Sequence, residues 1–110
     1  MAIVNSTYKI TENFPKEESK ALTARMRKSA SSIPSYIKEG LSRGYDAECQ
    51  QFLYAALESC GELEKQIIDS FNQSYLSDKI KEELLDNLRY ESRMIVDMMR
   101  FISGSLIDKE

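Results

Sequence analysis

The clearest hydrophobic pattern in the chain runs from Cys49 to Ile67, where apolar residues recur at steps of four and three. Its members are Cys49, Leu53, Ala56, Cys60, Leu63 and Ile67. This spacing puts the apolar side chains on one face of an α-helix. Asp46 precedes the pattern and is a suitable N-cap, because its carboxylate can accept a hydrogen bond from the first turn. We therefore predict a long amphipathic helix that begins after Asp46 and ends before a turn at residues 72–76.

A second apolar pattern keeps the helical spacing although it contains a proline. Its members are Leu22, Met26, Ala30, Ile33 and Ile37. Pro34 lacks a backbone N–H and crowds the carbonyl four residues earlier. Because the apolar spacing continues past the proline, the pattern predicts one helix that begins at about Pro15 or Glu17, ends at Leu41 and is bent at Pro34. We expect the hydroxyls of Ser31 and Ser32 to bond the carbonyl that the proline frees.

The two ends of the chain complete a four-helix pattern. Residues 3–13 predict a short first helix, and residues 78–103 predict a last helix that Gly104 ends. No stretch shows the apolar and polar alternation of a strand. Because the connections between the four segments are short, the sequence predicts an all-α protein. The expected architecture is an antiparallel up-and-down four-helix bundle that forms a single domain, residues 1–110.

The net charge of −3 is unevenly distributed along the chain. Residues 1–45 contain eight Lys and Arg against four acids, whereas residues 46–110 contain seven against fourteen. An anion-binding surface is therefore expected to centre on the first part. No stretch approaches the ~18 apolar residues of a membrane span, and the N-terminus lacks the basic and apolar regions of a signal peptide. We therefore expect a cytoplasmic protein without a membrane partner.

Most residue patterns that support catalysis are missing from the sequence. The chain contains no histidine, which is the commonest general base and metal ligand at neutral pH. No glycine-rich phosphate loop or paired-cysteine metal motif occurs. Cys49 and Cys60 are separated on one helix by about 16 Å of rise, too far for a disulfide, and are predicted to be reduced core thiols. The sequence thus predicts no catalytic residue, metal, cofactor or small-molecule substrate.

Several short strings along the chain together resemble one protein family. They are Tyr8-Lys-Ile-Thr, Phe14-Pro-Lys-Glu-Glu, Ser32-Ile-Pro, Glu39-Gly with Arg43, Phe52-Leu, and Glu62-Leu-Glu. These strings are similar to the bacterial four-helix-bundle proteins first noticed as open reading frames in intervening sequences of 23S ribosomal RNA genes. The resemblance implies an up-and-down helical bundle that assembles into rings of five. A distant relative, the accessory variability determinant of diversity-generating retroelements, binds nucleic acid and a reverse transcriptase.

The same resemblance suggests structural or interface roles for five residues. They are Arg27, Ser32, Pro34, Glu39 and Gly40. The spacing between Arg27 and Glu39 exceeds three helical turns, so the two side chains cannot pair directly within one helix. We expect them to act at a corner of the bundle or at a contact between subunits.

Five arginines are candidates for contacts with RNA phosphates. They are Arg25, Arg43, Arg89, Arg93 and Arg100. The last three form a stripe on the last helix, and a guanidinium group can bond two phosphate oxygens at once. The alternative is that these arginines are solvated and pair with nearby acids. The sequence offers no aromatic platform between the basic residues, unlike a typical RNA-binding module.

Four large apolar side chains fall outside the predicted core stripes. They are Tyr54, Tyr90, Met94 and Phe101. Such residues either widen the core or form an interface, and extra apolar surface usually marks an interface. Together with the resemblance, they favour a homo-oligomer, a pentamer by analogy. We therefore expect a non-enzymatic scaffold or adaptor that associates with ribosomal RNA or ribonucleoprotein. The alternative is a purely protein-binding oligomer without a nucleic-acid role.

Overall fold

Four helices account for the fold. The computed structural model describes the backbone of residues 1–108 and the side chains of residues 1–104. The helices are α1 (Ala2–Thr11), α2 (Lys16–Leu41), α3 (Ala47–Asn72) and α4 (Asp78–Asp108). Residues 1–108 contain no strand. The prediction of an all-α, four-helix protein is thus confirmed.

The helix boundaries follow local sequence signals at most positions. The Asp46 carboxylate accepts a hydrogen bond of 3.0 Å from the backbone N–H of Cys49, which caps α3. Gly44 adopts a φ of 69° in the turn before α3, a left-handed conformation that glycine takes without steric cost. The prediction that Gly104 ends the last helix is wrong, because α4 continues to Asp108. Gly104 is not in a left-handed conformation, and a glycine inside a helix costs only about 1 kcal/mol.

The helices pack in a cyclic order around one core. α2 packs against α3, α3 packs against α4, and α1 contacts both α2 and α4. Ser70 Oγ lies 3.2 Å from the sulfur of Met26, so the end of α3 is beside the first half of α2. Gly40 lies against Cys49, so the end of α2 is beside the start of α3. These contacts are those expected of neighbours that run in opposite directions, although the antiparallel arrangement of the whole bundle stays a prediction.

Pro34 lies inside α2, which continues to Leu41. The predicted bend at this residue stays a prediction. The Ser32 hydroxyl donates a hydrogen bond to the Lys28 carbonyl, and the Ser31 hydroxyl lies 3.4 Å from the Tyr8 hydroxyl. Neither serine bonds the carbonyl that the proline leaves free, so that expectation is wrong. The Ser31 hydroxyl lies beside Tyr8 of α1 instead, and the Ser32 hydroxyl bonds the carbonyl one turn before it.

Gly40 sets the distance between α2 and α3. A Cβ atom added to this buried residue would lie 3.0 Å from Phe52 Cβ and 3.2 Å from the Cys49 carbonyl oxygen. Both atoms belong to the α3 backbone or are attached directly to it, so neither can move without shifting the helix. A side chain at residue 40 would therefore push the two helices apart.

The first helix is much shorter than its neighbours. α1 contains 10 residues, whereas α2 contains 26 and α4 contains 31. At 1.5 Å per residue, α1 covers about 15 Å of a bundle that is more than twice as long. Its hydrogen bonds to α2 are made at Arg27 and Ser31, so the C-terminal end of α2 extends beyond it. None of the helices in the described part of the chain is long and apolar enough to cross a membrane.

Gly40→Ala is expected to lower the free energy of unfolding by about 1 kcal/mol. Overpacking at a tight contact costs about 1–3 kcal/mol and outweighs the gain in helix propensity of about 1 kcal/mol. Gly61→Ala is the matched control, because residue 61 is also inside a helix and an added Cβ would meet no atom within 4 Å. That variant should gain about 0.5–1 kcal/mol. Urea unfolding at equal protein concentration measures both, and equal gains would contradict the close approach.

Candidate interaction surfaces

An apolar groove opens where α1 no longer separates α2 from α4. Its lining residues are Leu41, Tyr45, Met94, Asp97, Met98, Phe101 and Ile102. Leu41 is the last residue of α2, Tyr45 belongs to the following turn, and the other five are on α4. The groove has a volume of about 480 Å³. We refer to this set of residues as the apolar groove.

Several of the large apolar side chains that line the groove are exposed to solvent. Phe101 is 65% exposed and Tyr45 is 53% exposed, and their rings form an edge-to-face pair with centroids 6.2 Å apart. Met94 and Leu41 are also exposed, and Tyr90, one turn before Met94, extends the surface along α4. Half-exposed aromatic side chains each leave on the order of 100 Å² in water. The whole patch therefore reaches the size of the largest apolar patches of monomeric proteins, about 300–600 Å², which are often functional.

The structure brings three of the four predicted interface residues to this patch. Tyr90, Met94 and Phe101 share one side of α4 by their helical spacing, whereas Tyr54 is on α3 and is not among the residues that line the groove. Sequence reasoning missed Leu41 and Tyr45. Leu41 follows Ile37 by four residues, so its spacing is that of a core residue. Tyr45 lies in a turn, where no hydrophobic periodicity indicates its role.

Arg43 is occupied by acidic partners within the chain. Its guanidinium lies 2.7 Å from Glu39 Oε1 and 3.3 Å from Glu48 Oε1, and it also lies over the ring of Phe52. The hydrogen bond that Arg43 donates to Glu39 is the main cause that raises the pKa of Arg43 above its usual value. Glu39 thus pairs with Arg43 rather than with Arg27. These contacts link the end of α2 to the start of α3.

The other candidate arginines fall into two groups. Arg89, Arg93 and Arg100 are on α4, and Arg25 is on α2, which does not pack against α4. Arg89 lies 3.5 Å from Asp86. Within the described side chains, Arg25, Arg93 and Arg100 make no ion pair. Arg93 and Arg100 border a shallow depression of about 290 Å³ together with Ser92, Val96 and Asp97.

Arg27 fastens the short first helix to the second. Its Nε donates a hydrogen bond of 2.9 Å to Thr11 Oγ1, and its Nη2 donates one of 3.4 Å to the Tyr8 carbonyl. The guanidinium also lies 4.8 Å from the centre of the Tyr8 ring. A cation at the C-terminus of α1 is favoured by the helix dipole, and Arg27 is a further donor to the Tyr8 carbonyl, which also accepts from the backbone N–H of Glu12. Arg27 therefore acts at the corner between α1 and α2.

The remaining polar features are a charged cavity and two buried cysteines. A cavity of about 620 Å³ lies beside the corner between α1 and α2 and mixes Lys16 and Lys20 with Glu12 and Glu17. Cys49 and Cys60 are free and buried, and burial raises the pKa of both thiols, which keeps them protonated. Within the described residues, no group of three or more acidic or cysteine side chains is placed to hold a metal ion.

Comparison with known proteins finds one family. A family model described as 23S rRNA-intervening sequence protein matches residues 1–97. No curated protein matches the sequence. The matched range includes α1, α2 and α3 and the part of α4 up to residue 97.

Replacement of Arg27 by Met is expected to lower the free energy of unfolding by about 1–2 kcal/mol, because hydrogen bonds from a charged donor contribute about that much. The same variant should also speed amide hydrogen exchange in α1. Arg25→Met is the matched control, since Arg25 is on the same helix and contacts no acid among the described side chains. If both variants behave alike in hydrogen exchange, Arg27 does not anchor α1.

Proposed function

The chain belongs to the 23S rRNA-intervening sequence protein family, and from this premise we propose that it is a non-enzymatic, self-associating helical protein. In this role it serves as a scaffold or adaptor. The observation that carries the proposal is the apolar groove with Tyr90 beside it. A patch of this size is often functional, and its aromatic and Met side chains are the residue types enriched at the centres of interfaces.

The area of the patch supports association between protein chains. Stable interfaces bury about 800 Å² on each partner, and their centres are enriched in aromatic residues and Met. Phe101, Tyr45 and Tyr90 with Met94 supply these residue types at the centre of the patch. The polar residues around them can form the rim. A five-membered ring, which the family resemblance suggests, is the assembly that we propose.

A second candidate function is contact with RNA through phosphate groups. The observation that favours it is that Arg25, Arg93 and Arg100 make no ion pair within the described side chains. Free guanidinium groups can bond phosphate oxygens without losing an internal partner. Arg43 and Arg89 already contact acids, so we assign them no more than a supporting role. An oligomer that binds only proteins is the alternative.

A cytoplasmic location belongs to the same proposal. It is supported by the two free, buried cysteines, since thiols persist as thiols in reducing compartments.

Phe101→Glu is expected to weaken self-association by at least about tenfold, because it places a charge in the centre of an apolar contact, where large effects concentrate. Tyr36→Glu is the control, since Tyr36 is an exposed aromatic residue of α2 outside the groove. Sedimentation velocity across a concentration series measures both. A wild-type protein that stays monomeric at every concentration would contradict the proposed assembly.

The RNA candidate is tested by the salt dependence of binding. The double variant Arg93→Gln with Arg100→Gln should lower the slope of log K against log salt by about 1.4–1.8 for a short RNA, since each lost phosphate contact removes about 0.7–0.9. Lys65→Gln with Lys79→Gln is the charge-matched control and should leave the slope unchanged. Fluorescence anisotropy with a labelled oligonucleotide provides the measurement. Equal slopes for both double variants would remove the specific role of the two arginines.

A further inference from the structure

We propose that the apolar groove of one copy of the chain receives Tyr54 of a second copy. Two different patches of the same chain then meet, rather than two identical ones. The inference rests on the proposed self-association and specifies which surface covers the groove.

Tyr54 is the most exposed tyrosine of the described chain, at 57%, and it does not line the groove. Four residues before it, Gln50 Nε2 donates hydrogen bonds of 2.9 Å to the Met99 carbonyl and 2.7 Å to Ser103 Oγ. These bonds fix which side of α3 faces α4. By helical phase, Tyr54 and Arg100 then lie on the same outer surface of the α3–α4 pair. Tyr54 thus lies beside Arg100, which makes no ion pair with any side chain of residues 1–104.

The groove complements this surface in shape and in charge. Its volume of about 480 Å³ is large enough for a phenol ring, and the edges of Tyr45 and Phe101 offer aromatic walls. Asp97 is the single charged residue among its lining residues. Asp97 makes no ion pair within the described side chains. Its carboxylate can accept a hydrogen bond from the Tyr54 hydroxyl or pair with Arg100 of the second copy.

A contact between two identical grooves is disfavoured by the same features. It would bring the Asp97 carboxylates of the two copies toward each other, each exposed and bordered by Arg93 and Arg100 of its own chain, and like charges across an interface cost free energy. It would also leave the exposed Tyr54 side chain of each copy without a partner surface. Contact between the groove and Tyr54 avoids both costs, and tyrosines are frequent anchors of interfaces.

The proposal is tested by mixing two variants that each lack one half of the contact. Tyr54→Ala removes the projecting side chain and keeps the groove, whereas Phe101→Glu disrupts the groove and keeps Tyr54. Each variant alone should associate at least about tenfold more weakly than wild type. An equimolar mixture should form a complex with one copy of each, because one intact groove and one intact Tyr54 remain. Sedimentation velocity and native mass spectrometry measure the masses, and circular dichroism checks that both variants fold.

The outcomes separate this proposal from self-association itself. If wild type associates and Tyr54→Ala associates equally well, the groove is covered by something other than Tyr54 and the proposal is overturned. It is likewise overturned if both variants dissociate and their mixture yields no complex of the two chains. A wild-type chain that is monomeric throughout instead overturns the proposed function. A complex that appears only in the mixture supports the pairing of groove and Tyr54.

Discussion

The length of the first helix is the constraint from which the surface of this protein follows. α1 contains 10 residues, against 26 in α2 and 31 in α4. It is fastened to α2 by Arg27 and also packs against α4, and it covers only part of the space between these two helices. Where α1 is absent, apolar side chains of α2, α4 and the turn after α2 stay in contact with water, although a longer first helix would bury them. The apolar groove is the direct result, and it is the feature on which the proposed assembly depends.

The rest of the bundle holds the two walls of that groove in place. Gly40 allows α2 and α3 to approach closely, and Arg43 joins the end of α2 to Glu48 on α3. Gln50 then joins the start of α3 to the end of α4. The end of α2 and the end of α4 carry opposite walls of the groove, so this chain of contacts determines their separation. Residues near the turn between α2 and α3 thus position an interaction surface without forming part of it.

Sequence reasoning predicted the helices and most of the core because apolar periodicity reports directly on which face of a helix is buried. It predicted Tyr90, Met94 and Phe101 as exposed apolar residues for the same reason. It missed Leu41 because periodicity shows the face that a residue occupies and not whether another helix covers that face. The sequence also did not predict the partners of Arg27, because they depend on how α1 packs against α2. The error at Gly104 has a local origin: a glycine ends a helix only if its backbone turns left-handed, and its sequence context does not determine that.

The most direct test of the central claim is whether the groove becomes buried when the protein assembles. The chain contains no tryptophan, so Phe101→Trp places one fluorescent indole in the groove wall. Its emission should move to shorter wavelength as protein concentration rises, in step with the increase in mass measured by light scattering. If the mass increases while the emission stays that of a water-exposed indole, the chains associate through another surface and the account given for the groove is wrong.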